Sequence, residues 1–327
     1  MMRKTKHTAP GKSNRKGISI FQLEKMFPNE AAAVRWFESI YWPDERCCGH
    51  CGSTRTREAS HKKMPYWCSD CRKYFSVRTG TSMQNSRLPL RKWAYAVYLY
   101  VTNLKGISSM RLSREIDVTQ KTAWFMLHRL RDSWDASGLD ALLGPVEADE
   151  TYMGGKRKNM SNAKRKTLTG RGSVGKTAVA GIKDRESNQV SARVVANVKS
   201  ETMSRFIMEH IAPGAKIYTD DALVYHQLPN HESVRHGVNE YVRGQAHTNG
   251  VESFWSMLKR GYVGIFHKMS PKHLQRYVGE FAKRHNVREW DTLEQMQAVV
   301  AGLVGKRLMY RELIADNGLD SGAREIA

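Results

Sequence analysis

The chain has 327 residues, and 53 Lys and Arg against 32 Asp and Glu leave a formal charge of +21. That length allows two or three domains with at least one sizeable core. An apolar content of 40% excludes a wholly disordered chain, and no apolar run approaches the ~20 residues of a bilayer-spanning helix. The charge favours a polyanionic partner, foremost nucleic acid, over the plainer alternative of a basic soluble enzyme.

Residues 1–16 carry six Lys or Arg and no acid. They read as a basic disordered tail, too polar for a secretory signal. Residues 17–46 read as a helical lead-in, broken by Pro28-Asn29-Glu30, with Val34, Phe37 and Tyr41 on one face. Residues 47–85 hold all five cysteines. Cys48-Gly-His-Cys51 is followed after sixteen residues by Cys68-Ser-Asp-Cys71. Paired C-x2-C knuckles at this separation predict one structural Zn²⁺ held by Cys48, Cys51, Cys68 and Cys71, with Gly52 supplying a positive φ. Four thiolates leave no open position for water. Cys47 is the spare. Clustered rather than spread cysteines also point to a cytoplasmic protein, here expected at the nucleoid.

Residues 86–137 read as a helical DNA-binding region. Ile107–Ile116, a turn at Asp117-Val118, and a helix from Thr119 to Arg131 fit a helix-turn-helix as well as a plain hairpin. Thr119 is the expected cap, with Ala123, Leu127 and Leu130 inward. Gln120, Lys121, His128 and Arg129 are left for a groove. Gly144-Pro145 closes a linker.

From 145 to 290 the pattern alternates. VEADETYM, TAVAGIKD and VSARVVANVK predict three strands, the second and third joined by a turn at Arg185–Asn188. A helix SETMSRFIMEHI with Ser200 as cap follows, then a strand AKIYTDD, a short helix ALVYHQL, a strand SVRHGV, and a long helix from Asn249. Three antiparallel strands followed by parallel crossovers give the order of a ribonuclease-H-like mixed α/β sheet flanked by helices. Between Lys156 and Lys176 lies a loop with eight Lys or Arg and no acid. Its Lys156, Arg157, Lys158, Lys164, Arg165 and Lys166 are the expected contacts to a DNA backbone. Residues 291–327 read as a C-terminal helical tail.

Asp149 lies on the first strand of this region, Asp220 ends the fourth, and Glu252 opens the long helix. Neighbouring strand ends with a helix above them can gather carboxylates for divalent ions. Glu147 and Glu150 compete with Asp149. Asp220-Asp221 also suits a turn, and Glu252 also suits a capping box with Asn249. Glu252 and Lys259 are seven residues apart, so they share a helix face apart from the stripe Val251, Phe254, Trp255 and Leu258.

The stretches CGHCG, CSDCRKYFSVRTGT, VTQKTAWFMLHRLR, VEADETYMGGKRKN, GRGSVGKTAVAGIKDR, IYTDDALVY and HTNGVESFWSMLKRGYVGIFHKMSPKHLQRYVGEFAKRHN occur in one order between Phe27 and Arg288. In them the chain resembles the DDE transposases of bacterial insertion sequences, in the ISXO-like group with an N-terminal zinc ribbon. The resemblance places the acidic triad on Asp149, Asp220 and Glu252 and the helix cation on Lys259. It implies two catalytic Mg²⁺ ions, with Mn²⁺ able to substitute. It also implies cleavage and strand transfer at terminal inverted repeats of double-stranded DNA by a homo-oligomer, with no membrane partner. Gly49 replaces the family's usual Pro, which is expected only to loosen the knuckle. Asp117 replaces its usual Gly at the helix turn. A DNA-binding regulator that no longer cuts, and a nuclease that hydrolyses without strand transfer, are the competing readings.

Overall fold

The computed structural model describes residues 15–134, 141–160, 162–170, 172–234 and 247–321. The chain forms two compact units, Met1–Ser133 with Val287–Ile314, and Trp134–Asn286 with Ala315–Ala327. Among the described residues no helix is long and apolar enough to cross a membrane.

In the first unit, α1 (Ile20–Met26) starts in a capping box between Ser19 and Gln22. Asn29 caps α2 (Glu30–Tyr41), which buries Ala33 and Phe37. Strands β1 (Thr56–Glu58), β2 (Tyr66–Cys68) and β3 (Lys73–Phe75) form an antiparallel sheet. Helix α3 (Leu90–Thr102) has no side-chain cap of its own. The Glu30 carboxylate accepts from Leu90 N–H at 2.6 Å and Arg91 N–H at 2.9 Å, placing a negative charge on the helix's positive end. Helices α4 (Ser109–Glu115) and α5 (Gln120–Ser133) form the expected pair. Asp117 turns the chain with φ +50°, and Thr119 accepts from Thr122 N–H. Residues 287–314 belong to the same unit. They hold α10 (Thr292–Ala301) and α11 (Tyr310–Ile314), and α10 packs on α2, α3 and α5 through its apolar face.

The second unit is built on a five-stranded sheet. Strands β4 (Val146–Met153), β5 (Thr177–Asp184) and β6 (Val190–Val195) are antiparallel; β7 (Ile217–Asp220) and β8 (His231–Val234) run parallel to β4. The order β6-β5-β4-β7-β8 is the mixed sheet expected of a ribonuclease-H-like core. α6 (Asn162–Thr167) lies in the basic loop, and α7 (Ser200–Met208) packs on one sheet face through Met203, Phe206 and Ile207. α8 (Asn249–Gly261) and α9 (Pro271–Asn286) cover the other. A π-helical turn at Tyr262–Phe266 follows α8.

Three local expectations shift. Lys199, not Ser200, is the N-cap of α7. ALVYHQL shrinks to a 3₁₀ turn at Leu223–Tyr225, in which only Tyr225 is buried. The last strand starts at His231 because it pairs with Ile217 in register; the 235–238 part of SVRHGV lies outside the described residues.

Candidate active site and thiolate centre

The β4 register decides which acids meet. Val146 pairs with Ile217 and Glu147 with Tyr218. Continuing that parallel offset brings Asp149 level with Asp220. Alternation puts Glu147, Asp149 and Met153 on the α8 face of the sheet, because Met153 lies in the core beneath α8 while Val146 and Ala148 lie in the other.

Each competitor on the strand is engaged elsewhere. Glu150 points to the opposite face, where its carboxylate accepts from Tyr225 Oη at 2.5 Å. Glu147 is buried and seats the helix. Its Oε1 accepts from Arg185 Nε at 2.8 Å, and its Oε2 accepts from Val251 N–H at 2.9 Å. Thr248, the N-cap of α8, makes no capping bond, so this sheet carboxylate satisfies an end the helix leaves open. A Cβ at Gly250 would lie 2.7 Å from Glu147 Oε2, so any side chain there would push the carboxylate off the helix end.

Seated this way, α8 buries Val251, Phe254, Trp255 and Leu258, the stripe expected from the sequence. At about 1.5–3 kcal/mol for each large apolar side chain, this face fixes the helix's rotation. Glu252 and Lys259 stand exposed on the outer side. Thr248 Oγ1 donates to Glu252 Oε1 at 2.9 Å; the expected alternative, a box with Asn249, does not form because Asn249 is already inside the helix.

Trp255 was legible only as core. Its Nε1 donates to Asp149 Oδ2 at 3.0 Å. The ring reaches that position because Gly181, the β5 partner of Asp149, has no side chain: a Cβ there would lie 2.5 Å from the indole. Asp149 is pushed up to about 7, first by burial and then by the Glu150 and Asp220 charges; the indole N–H opposes that rise. Burial beside other carboxylates thus disfavours the charged form of Asp149, a situation a divalent cation relieves. Glu252 is on the adjoining helix, and Asp149, Asp220 and Glu252 are not gathered within 4.8 Å of one another. Among the described residues, the Cys cluster is the group of three or more such ligands within 4.8 Å of one another.

That cluster is Cys48, Cys51, Cys68 and Cys71. The Sγ pairs Cys48–Cys71 and Cys51–Cys68 are each 3.7 Å apart. Zn–S bonds of about 2.3 Å at tetrahedral angles place sulfurs about 3.8 Å apart, so the group fits a structural zinc. Gly52 has φ +77° as expected, and Arg72 takes φ +54° at the same place after the second pair. N–H groups of Cys71 and Asp70 pull the Cys68 thiol down to about 7; burial and the neighbouring sulfurs push Cys71 up to about 12. One expectation fails. Gly49 is not a loosened proline position: a Cβ there would sit 2.3 Å from the Thr79 carbonyl oxygen, so the knuckle needs glycine to pack on the following turn.

Residues 141–286, from before β4 to the end of α9, match the ISXO2-like transposase domain. Over 286 residues the chain is 31% identical to an uncharacterized protein in transposable element ISH50 of Halobacterium salinarum, covering 83% of this chain and 93% of the relative. The chain belongs to the ISXO2-like transposases. An uncharacterized transposase-like protein of Haemophilus influenzae is 29% identical over 97 residues, 28% of this transposase and 77% of the relative.

The basic residues of the transposase are placed unevenly. Lys156, Lys158, Arg165 and Lys166 are exposed in the loop. Arg157 is exposed too, but its guanidinium donates to the carbonyls of Leu168 and Gly170 and holds the loop's shape. The Lys164 side chain lies outside the described residues. On α5, Gln120 and Lys121 are exposed; Gln120 donates to Ser109 and Lys121 lies over the Tyr310 ring. His128 and Arg129 are not on that outer face. Both are buried, because the helix packs on three sides and not on the single Ala123–Leu127–Leu130 stripe.

One prediction arises directly. Trp255→Phe keeps the ring and loses the donor, so Asp149 should titrate still higher, read from the NMR titration of its carboxyl. Gly181→Ala should give the same shift and also cost about 1–3 kcal/mol in a thermal melt, because the ring must move. An unchanged Asp149 titration in both variants would show that the indole N–H does not act on that carboxyl.

Proposed function

We propose that this transposase binds the ends of its insertion sequence and catalyses divalent-metal-dependent strand cleavage and strand transfer. The observation that supports this reading best is Asp149 level with Asp220 on adjacent parallel strands, bonded to the helix that carries Glu252 and Lys259. Asp149, Asp220 and Glu252 would hold two Mg²⁺ ions. When bound, such ions lower the pKa of an attacking hydroxyl and stabilise charge at a phosphate.

The chain's own residues do the rest. Trp255 fixes the orientation of the Asp149 carboxylate. Glu147 fixes the start of α8 and hence the height of Glu252 over the sheet. Lys259, two turns along the same exposed face, supplies a cation to a DNA phosphate. Lys156, Lys158, Arg165 and Lys166 lie along the backbone without reading bases. No Ser or Tyr nucleophile is required.

The test is DNA ending in the element's own terminal repeat, incubated with the full chain, Mg²⁺ and a target duplex. Joined products and binding that weakens steeply with salt are expected. Cut ends that never join would leave hydrolysis alone, and salt-sensitive binding without cutting would leave a regulator.

A further inference from the structure

The first unit carries a pocket that the reading above does not use. It encloses about 260 Å³ and is lined by Thr81, Ser82, Gln84, Asn85, Arg129 and Arg307, with Leu308, Met309 and Tyr310 closing it. Two loops build it, and backbone bonds lock them together. Ser82 N–H donates to Leu303 O at 2.9 Å and Gly305 N–H to Gly80 O at 2.8 Å.

Its chemistry is one-sided. Arg129 is only 8% exposed. Its Nε donates to the Leu308 carbonyl at 3.3 Å and its guanidinium lies 4.0 Å from the Phe125 ring centroid, but among the described residues no carboxylate faces it. Burial draws Arg129 down to about 10, with no charged neighbour to offset it. A buried cation without a counter-charge is costly, so its retention calls for an anion that arrives from outside. The other lining groups suit such an anion. Arg307 is exposed. Gln84 uses its Oε1 to accept from Gly80 N–H, which leaves its amide hydrogens for donation. Among the described residues the buried Ser82 hydroxyl has no partner. No acid lines the space; Glu312 is occupied at the Met309 N–H.

We propose that this pocket takes a phosphate of a bound DNA strand, with the Arg129 and Arg307 guanidinium groups and the Gln84 amide as its donors. A planar guanidinium fork matches phosphate oxygens, and DNA is the polyanion available to a protein of charge +21. The proposal rests on the DNA-binding reading above. It gives Arg129 a backbone-anchoring role inside a pocket in place of base contact on an outer helix face.

The test measures binding of the zinc-loaded full chain to a random-sequence DNA duplex over a series of KCl concentrations. Gln84→Glu keeps the acceptor for Gly80 N–H but puts a negative charge in the pocket, and Arg307→Gln removes an exposed charge; neither disturbs the core. Each should lower the slope of log affinity against log salt by about 0.9, which is about tenfold in affinity at 0.1 M salt. Arg205→Gln, an exposed charge on α7, is the control for net charge and should keep the wild-type slope. Wild-type slopes in both pocket variants would overturn the proposal while leaving DNA binding intact. Absence of salt-dependent binding by the wild type would instead remove the reading it rests on. If inorganic phosphate raises the melting temperature of the wild type but not of Gln84→Glu, and duplex slopes stay equal, the pocket serves free anions and the backbone assignment falls.

Discussion

Asp149→Asn is expected to reduce strand cleavage by at least about 10³-fold, on the order of 4 kcal/mol of barrier, while duplex affinity stays within about twofold. The side chain is nearly isosteric, and it still accepts from Trp255 Nε1 through its amide oxygen. What it loses is the negative charge that a divalent ion needs. The same variant makes an opposite prediction for stability. In the metal-free protein, Asp149 is raised from 3.8 to about 7. A folded-state pKa above the unfolded value favours the protonated chain. The stability gained is therefore complete below about pH 4 and is lost as pH rises through 7. Roughly three pH units correspond to a charged-form penalty on the order of 4 kcal/mol. Metal-free wild type should melt at lower temperature at pH 8 than at pH 6. The Asp149→Asn variant, which has no charge to bury at this position, should flatten that dependence and melt higher at pH 8. Added Mg²⁺ should stabilise wild type at pH 8 and leave the variant unmoved. A variant that cuts at the wild-type rate, or a metal-free melt flat between pH 6 and 8, would remove Asp149 from the site.

The first two strands were legible as short runs bounded by turn residues, and VEADETYM and TAVAGIKD fall on β4 and β5 without a shift although both carry several residues that strands disfavour. The α8 stripe was legible from a 3.6-residue period with acid and base left on the far side. Periodicity reports which side of a helix is buried, not what a buried polar atom touches. That is why Trp255 read as packing, although its indole N–H reaches Asp149. Glu147 was equally opaque: a strand acid adjacent to a catalytic candidate looks like a rival until the helix N-terminus it satisfies is in place. Arg129 failed for another reason. A single apolar stripe predicts an outer face, and α5 has burial on more than that stripe because α10, from far along the chain, packs on it. Gly49 shows the limit of family comparison. The expectation concerned the knuckle alone, whereas the constraint comes from the Thr79 carbonyl, thirty positions on.

Removal of the zinc should have the larger structural effect. The ribbon's apolar cluster among the described residues consists of Cys48, Cys68 and Phe75, with Trp42, Tyr66 and Cys71 against it. Three of those six residues are the thiolate ligands themselves, so little apolar burial remains if the sulfurs are released. Three-residue strands add few hydrogen bonds, and short sheets of this size are marginal alone. Structural zinc supplies on the order of 10–16 kcal/mol to domains of this kind, far more than the cluster can replace. Cys68→Ser removes a fully buried ligand. It should abolish stoichiometric zinc binding and unfold residues 47–85, seen as loss of amide protection there, while β4–β8 keep theirs. Wild type should bind one zinc per chain. The Asp149 site lies in the other compact unit. Metal-dependent melting of that unit should therefore survive Cys68→Ser, and terminal-repeat binding should fall if the ribbon contributes to it. Full protection of residues 47–85 in zinc-free wild type would show that the four sulfurs are packing and not a metal centre.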